Sequence, residues 1–362
     1  MSQPLFTPYA LGPITLKNRI VMAPLTRSRA LGNQPNDLMR EYYTQRAGAG
    51  LVIAEGTATS PEGLGYARIP GLFTEEQARG WGDIARAVQG EGSHFFIQLM
   101  HTGRIGHPAN LPVGAGMVAP SAIAAAGEMW TDSAGMQPHP APKAATADDL
   151  VRLRNDHVRA AELAVANGVD GVELHAANGY LLGQFLNPRS NQRTDAYGGS
   201  AENRLRFVLE VVDATIAAIG KARVGIRLSP FNPFNDLESG FEGEREQFLA
   251  LIGELSKRGI GYVHLAGGSV TGDLLQETRA IFPGTIIVNG GYDAARADAD
   301  LAAGLADLVA FGRHFISNPD LPERLRMGAP IAELDADTLY TPGAAGYTDY
   351  PRLDESQALL AD

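Results

Sequence analysis

The sequence predicts an α/β fold of one kind, a (β/α)8 TIM barrel, on three observations. Eight short apolar runs, many of them rich in β-branched residues, recur along the 362 residues, and longer stretches with helical spacing lie between them. The runs are nearly continuous in apolar character and bounded mostly by Gly, Pro or polar residues, which is what a strand buried on both faces requires. Closing eight such strands on themselves leaves no exposed edge.

The strands fall in order at 19–24 (RIVMAP), 50–55 (GLVIAE), His94–Met100 (HFFIQLM), 171–175 (GVELH), 223–228 (RVGIRL), 261–265 (GYVHL), Thr285–Asn289 (TIIVN) and 307–312 (DLVAFG). Between the third and fourth, residues 147–167 set Leu150, Leu153, His157, Ala160, Ala161 and Ala164 at three- and four-residue spacing, with Thr146 as N-cap and Gly168 past the end. Residues 201–219 and 244–257 repeat that design. Residues 101–146 are long, rich in Pro, Gly and Ala and weakly periodic, and they read as a capping excursion after the third strand. Residues 335–362 read as a C-terminal extension over the barrel mouth. No linker interrupts the chain, so 1–362 is expected to be a single domain.

Composition removes several function classes. With 41 acidic against 30 basic residues, a net charge of −11 argues against nucleic acid as a partner. No cysteine is present, which excludes disulfides, thiolate nucleophiles and Cys-ligated zinc or iron–sulfur clusters. Neither a basic leader nor a run of about 18 apolar residues occurs, so a cytoplasmic protein without a membrane partner is expected.

Barrel active sites occupy the C-terminal strand ends. The seventh strand ends Asn289, Gly290, Gly291 and the eighth Gly312, Arg313. Unobstructed backbone N–H groups beside a fixed cation suit a phosphate, whereas glycines that merely end strands would not need the charge of Arg313. The fourth strand runs into HAANGY, residues 175–180. Alternation sets Glu173 and His175 on the barrel interior, with Asn178 and Tyr180 on the loop above. His and Asn can both donate to one carbonyl oxygen and a Tyr can deliver a proton, which suggests polarised-carbonyl chemistry. Arg227 points into the same mouth and needs an anionic partner, either a cofactor or Glu173 on the neighbouring strand. Gln98 offers both a donor and an acceptor there.

Six stretches carry a resemblance: APLTRSRA (23–30), EYYTQRAGAGLVIAEGT (41–57), QLMHTGRIGH (98–107), GVELHAANGYLLGQFLNPRSNQRTDAYGGSAENRLRF (171–207), AFGRHFISNPDLPERL (310–325) and GYTDYP (346–351). Together they resemble the old yellow enzyme family, FMN-dependent ene-reductases, and within it the bacterial branch that reduces nitrate esters and maleimides. The resemblance implies non-covalent FMN, with NADPH or NADH as reductant and an activated alkene as substrate, in a monomer or homodimer. It implies that Thr26 bonds the flavin O4 region, Pro24, Leu25 and Gly56 line the isoalloxazine, and Gln98 meets the pyrimidine edge. Arg227 is then set against flavin N1 and O2, while Gly290, Gly291, Gly312 and Arg313 hold the phosphate. His175 and Asn178 bind the substrate oxygen, Tyr180 protonates the α-carbon, and Tyr66 and Tyr347 flank the substrate. Met100 stands where the family commonly has Trp, which reshapes the pocket, and the loop after strand six, 266–272, looks short.

Other readings remain at this stage. A Schiff-base aldolase needs a lysine at a strand end, and none of Lys17, Lys143, Lys221 and Lys257 is at one. A metal-dependent hydrolase would use His101, His175 and Glu173, although no metal is expected. A flavin-binding protein without reductase turnover is the third.

Overall fold

The computed structural model describes residues 3–267 and 270–353. Eight parallel strands close into a barrel: β1 (Ile20–Met22), β2 (Leu51–Ala58), β3 (His94–Met100), β4 (Gly171–Ala176), β5 (Val224–Leu228), β6 (Tyr262–Leu265), β7 (Thr285–Asn289) and β8 (Leu308–Phe311). Each strand pairs with the next in sequence, and β8 pairs with β1. The eight apolar runs all become these strands. The second extends three residues beyond its expected end, because the chain passes Gly56 with a shift of register between Ala54 and Thr57 instead of stopping.

Outside the barrel lie α1 (Asp37–Gln45), α2 (Glu75–Gly90), α3 (Ala147–Ala166), α4 (Leu181–Leu186), α5 (Ala201–Ile219), α6 (Glu244–Arg258), α7 (Gly272–Ile281), α8 (Ala294–Ala302), α9 (Arg313–Ser317) and α10 (Leu321–Met327). Helix α3 starts as its sequence demands. The Thr146 side chain accepts from Asp149 N–H and the Asp149 carboxylate accepts from Thr146 N–H, a reciprocal pair that satisfies two otherwise unpaired donors.

Period-two alternation divides the barrel interior into two chemistries. The lower part is apolar, with Phe96, Tyr262, Ile287 and Leu308 meeting Leu11 and Leu16 of an N-terminal hairpin. Gly225 is obligatory there, since a Cβ would lie 2.1 Å from the Tyr262 ring. Two residues further along β3, β5, β6 and β7 the inward side chains become polar, Gln98, Arg227, His264 and Asn289, and β4 adds Glu173 and His175 to that layer. The fold thus sets a packed floor beneath a polar layer.

Two segments reach the mouth. Within 101–146, Val118–Ala119 pairs with Lys143–Ala144, and Glu128–Thr131 pairs with Gly135–Pro138 as a hairpin. Ala125 and Met129 from this excursion pack with Met100, Ile105 and Tyr180. Of the C-terminal extension the structure describes 335–353; 354–362, and Gly268 and Ser269 in the loop after β6, lie outside the described residues. No helix among the described residues is long and apolar enough to cross a membrane.

Candidate active site

Tyr180, the N-cap residue of α4, is buried, and its hydroxyl lies 2.9 Å from that of Tyr66. Its ring meets the His175 ring edge-on, with centroids 4.8 Å apart. Burial raises the Tyr180 pKa, so the phenol keeps its proton at neutral pH; burial and the neighbouring Tyr180 raise Tyr66 well above its ordinary value. His175 is held far below the usual histidine range by burial and then by the charge of Arg227, so the ring is neutral. Its Nδ1 accepts from Ala177 N–H at 3.3 Å, which leaves the proton on Nε2 as a donor. Asn178 has left-handed backbone, φ 55°, that Asn tolerates better than most residues. Its N–H donates to Ser229 Oγ at 2.8 Å, its carbonyl accepts from Asn235 Nδ2 at 2.8 Å, and its Oδ1 accepts from Asn232 Nδ2 at 3.0 Å.

Below this group the polar layer is wired differently from the sequence expectation. Glu173 does not touch Arg227. One carboxylate oxygen accepts from Gln98 Nε2 and the other from His264 Nδ1, both at 2.8 Å, with Glu173 and His264 fully enclosed. Interior side chains meet across the barrel as well as between adjacent strands, and His264 on β6 reaches the carboxylate first. Burial alone would raise the Glu173 carboxyl, but His264, Arg227 and Gln98 together hold it below its ordinary range. Burial also lowers His264, so we take the pair as a carboxylate accepting from a neutral imidazole, with Arg227 supplying the counter-charge. Arg227 donates from Nη2 to Asn289 Oδ1 at 2.9 Å, while its buried Nε has no partner.

Around the mouth, Pro24, Leu25 and Thr26 follow β1, with Leu25 and Thr26 half-buried. Gly56 lies against Met100; a Cβ there would come within 2.6 Å of the Met100 sulfur. Gly290 and Gly291 have φ of 129° and 68°, and Gly312 follows the adjacent β8, with the exposed Arg313 next in sequence.

The family model for the NADH:flavin oxidoreductase / NADH oxidase family matches residues 4–331. The chain belongs to the old yellow enzyme family. Rice (Oryza sativa subsp. japonica) 12-oxophytodienoate reductase 1 is 41% identical over 97% of this chain and 94% of its own length. A solved structure of morphinone reductase in complex with tetrahydroNAD has a TM-score of 0.93 at 44% identity, covering 98% of this chain and 99% of that one. The old yellow enzyme homologue from Zymomonas mobilis has a TM-score of 0.91 at 40% identity, over 96% and 99%. As a member of the old yellow enzyme family the chain is an FMN-dependent oxidoreductase that draws on a reduced nicotinamide.

The strand ends suit FMN on their own evidence. Arg227 presents an orphaned buried donor, and a Cβ at Gly291 would meet nothing within 4 Å, so the chain after β7 leaves room for a ligand. Tyr347, expected to flank the substrate, is placed elsewhere. It is fully enclosed, stacked 4.0 Å from Tyr42 with the Arg27 and Arg29 cations over its ring, and no substrate reaches it. The neighbouring Tyr340 is 60% exposed and near enough to Tyr66 and Tyr180 for its charge to raise both. The resemblance through GYTDYP singles out Tyr347, and no sequence signal points to Tyr340. Met100 is buried in the wall beside Tyr180 rather than open to the mouth. Among the described residues, no three His, Asp or Glu come together to hold a metal, so His101, His175 and Glu173 form no metal site.

Proposed function

We propose that this protein is an NAD(P)H-dependent reductase of activated carbon–carbon double bonds. Its substrates are α,β-unsaturated ketones, aldehydes and maleimides, with nitroalkenes and nitrate esters as further acceptors. The two substrates use one site in turn, in a ping-pong cycle. The observation that carries this reading is the convergence of a neutral His175, an Asn178 amide and the protonated Tyr180–Tyr66 pair above a polar barrel layer.

FMN, when bound, would supply the two-electron hydride-transfer chemistry that links the nicotinamide to the alkene. Arg227, bonded to Asn289, and Gln98, bonded to Glu173, would hold the polar pyrimidine part of that cofactor. Gly290, Gly291, Gly312 and Arg313 would hold its phosphate; Pro24, Leu25, Thr26 and Gly56 would line its ring. His175 Nε2–H and the Asn178 amide donate to the substrate's electron-withdrawing oxygen, where charge accumulates as the double bond is reduced. Tyr180 holds its proton until the α-carbon needs it, and Tyr66, 2.9 Å away, donates to the nascent phenolate. The exposed Tyr340 lies within electrostatic reach of Tyr66 and Tyr180 and would border the same site.

One spectroscopic experiment tests the proposal. Purified protein should be yellow, bleach anaerobically with NADPH or NADH and regain its colour on addition of 2-cyclohexenone. A colourless protein that FMN fails to reconstitute, or a bleached one that no enone reoxidises, overturns it.

A further inference from the structure

The loop between β5 and α6 carries a chain of hydrogen bonds whose directions are forced. Phe234 N–H can only donate, and it donates to Asn232 Oδ1 at 3.0 Å. That fixes the Asn232 amide, so its other arm is the NH2 group, which donates to Asn178 at 3.0 Å. The atom of Asn178 that receives it must be the oxygen. Asn178 is held at two further points, by Ser229 Oγ on its N–H and Asn235 Nδ2 on its carbonyl, so neither backbone nor side chain is left to settle by rotation.

The loop is itself anchored. Phe231, Asn235 and Asp236 all have left-handed backbone, with φ between 57° and 59°. Non-glycine residues persist there only when their surroundings over-determine them. The Glu244 carboxylate accepts from Phe231 N–H and Gly240 N–H at 2.6 Å each, and Asp236 is held by Arg189 at 2.7 Å and by Arg104 through its backbone carbonyl at 2.6 Å.

We propose that Asn232 is a positioning residue of this site, committing the Asn178 amide to present its NH2 group to the substrate. The inference rests on the reading of Asn178 as a substrate-oxygen donor. A group that presents a donor there is rejected, because the amide cannot turn to meet it.

Asn232→Asp is the discriminating variant. The new carboxylate still accepts from Phe234 N–H, but it can only accept from Asn178, so it draws the NH2 group inward and turns Oδ1 toward the substrate. The KM for 2-cyclohexenone should rise about tenfold or more at pH 7.5, with FMN content and unfolding midpoint unchanged. Recovery should follow as the pH falls through roughly 4 to 6, where a protonated carboxyl donates again. Asn232→Leu, which removes the donor without reversing it, should give a smaller rise that is independent of pH. In an Asn178→Ala background neither change should have further effect, since two residues acting through one contact are not additive.

Parent KM values in both variants, or equal effects with and without Asn178, overturn the inference while leaving the alkene-reductase reading intact. A parent protein that holds FMN but reduces no enone overturns that reading instead. If Asn232→Asp does not fold, Asn232→Leu in the two backgrounds carries the same cycle.

Discussion

In the proposed mechanism two side chains divide the labour between proton and charge, and each makes a separable prediction. Burial keeps the Tyr180 phenol protonated, and Tyr66 is its direct partner. Tyr180→Phe should slow reoxidation of the reduced enzyme by an enone about a hundredfold, while reduction by NADPH changes by no more than about twofold. Rapid mixing separates the two half-reactions; equal slowing of both would remove the proton-donor role. Tyr66→Phe should cost less, because Tyr180 keeps its own proton. His175 predicts the opposite of what a histidine usually brings to a site. With its pKa far below the ordinary 6.5, it is neutral throughout the physiological range and donates from Nε2 in a single tautomer. The KM for an enone should therefore be flat from about pH 5.5 to 8. A KM that climbs as the pH falls through the ordinary histidine range would show that the ring is charged after all.

Among the elements, the C-terminal segment depends on two guanidiniums from the loop after β1. Arg29 donates to the carbonyls of Leu339, Thr338, Ala345 and Gly343, and Arg27 to those of Leu339 and Gly346. Burial and the adjacent Arg27 lower Arg29 to about 10, still charged at neutral pH. Arg29→Ala should cost about 3 kcal/mol of stability and expose 335–353 to limited proteolysis, because several enclosed carbonyls lose their donor together. The KM for an enone should rise with it, since Tyr340 lies on the released segment. Arg29→Lys should not restore the parent, as one ammonium cannot reproduce the planar fork. A protease-resistant Arg29→Ala protein would show that other contacts hold the segment. This dependence also explains what was legible in the sequence. The strands were, because burial on both faces leaves an apolar run in consecutive residues, and HAANGY was, because its chemistry is contiguous. That Tyr347 is enclosed and Tyr340 exposed was not legible, since Arg27 and Arg29, some three hundred residues away, hold the segment that carries both. His264 as partner of Glu173 was hidden because the contact crosses the barrel interior. Asn232 and Asn235 were hidden because Phe231 and Asp236 take left-handed turns with no glycine to mark them.

Over the whole molecule, buried ionisable groups set how stability follows pH, and their signs differ. Burial lowers His101 to about 3 and His157 to about 4 from an ordinary 6.5, and it lowers His175 and His264 as well. The unfolded chain takes up protons at these four sites that the folded one refuses. Their contribution is complete above about pH 6.5 and is lost as the pH falls, by up to about 1.4 kcal/mol per pH unit for each histidine. Glu55 works against them. Burial raises it from 4.5 to about 7, so the folded state holds a proton there that the unfolded state has released. That contribution is complete below about 4.5 and is lost as the pH rises through about 7. Asp156, raised by burial to about 6, acts in the same sense as Glu55, so between 4.5 and 6.5 four histidines oppose two carboxyls; stability should rise with pH there and level off above about 7. Urea unfolding midpoints from about pH 4.5 to 8.5 read this directly. Replacing His157, whose ring donates to Leu153 O at 2.8 Å, in His157→Gln should remove about one proton from the acid slope. Glu55→Gln, keeping an acceptor for Arg27 N–H and a partner for Tyr43, should steepen the rise between about pH 4.5 and 7 by about one proton. An acid limb unchanged by His157→Gln, or one that Glu55→Gln fails to steepen, would place the proton linkage in other groups.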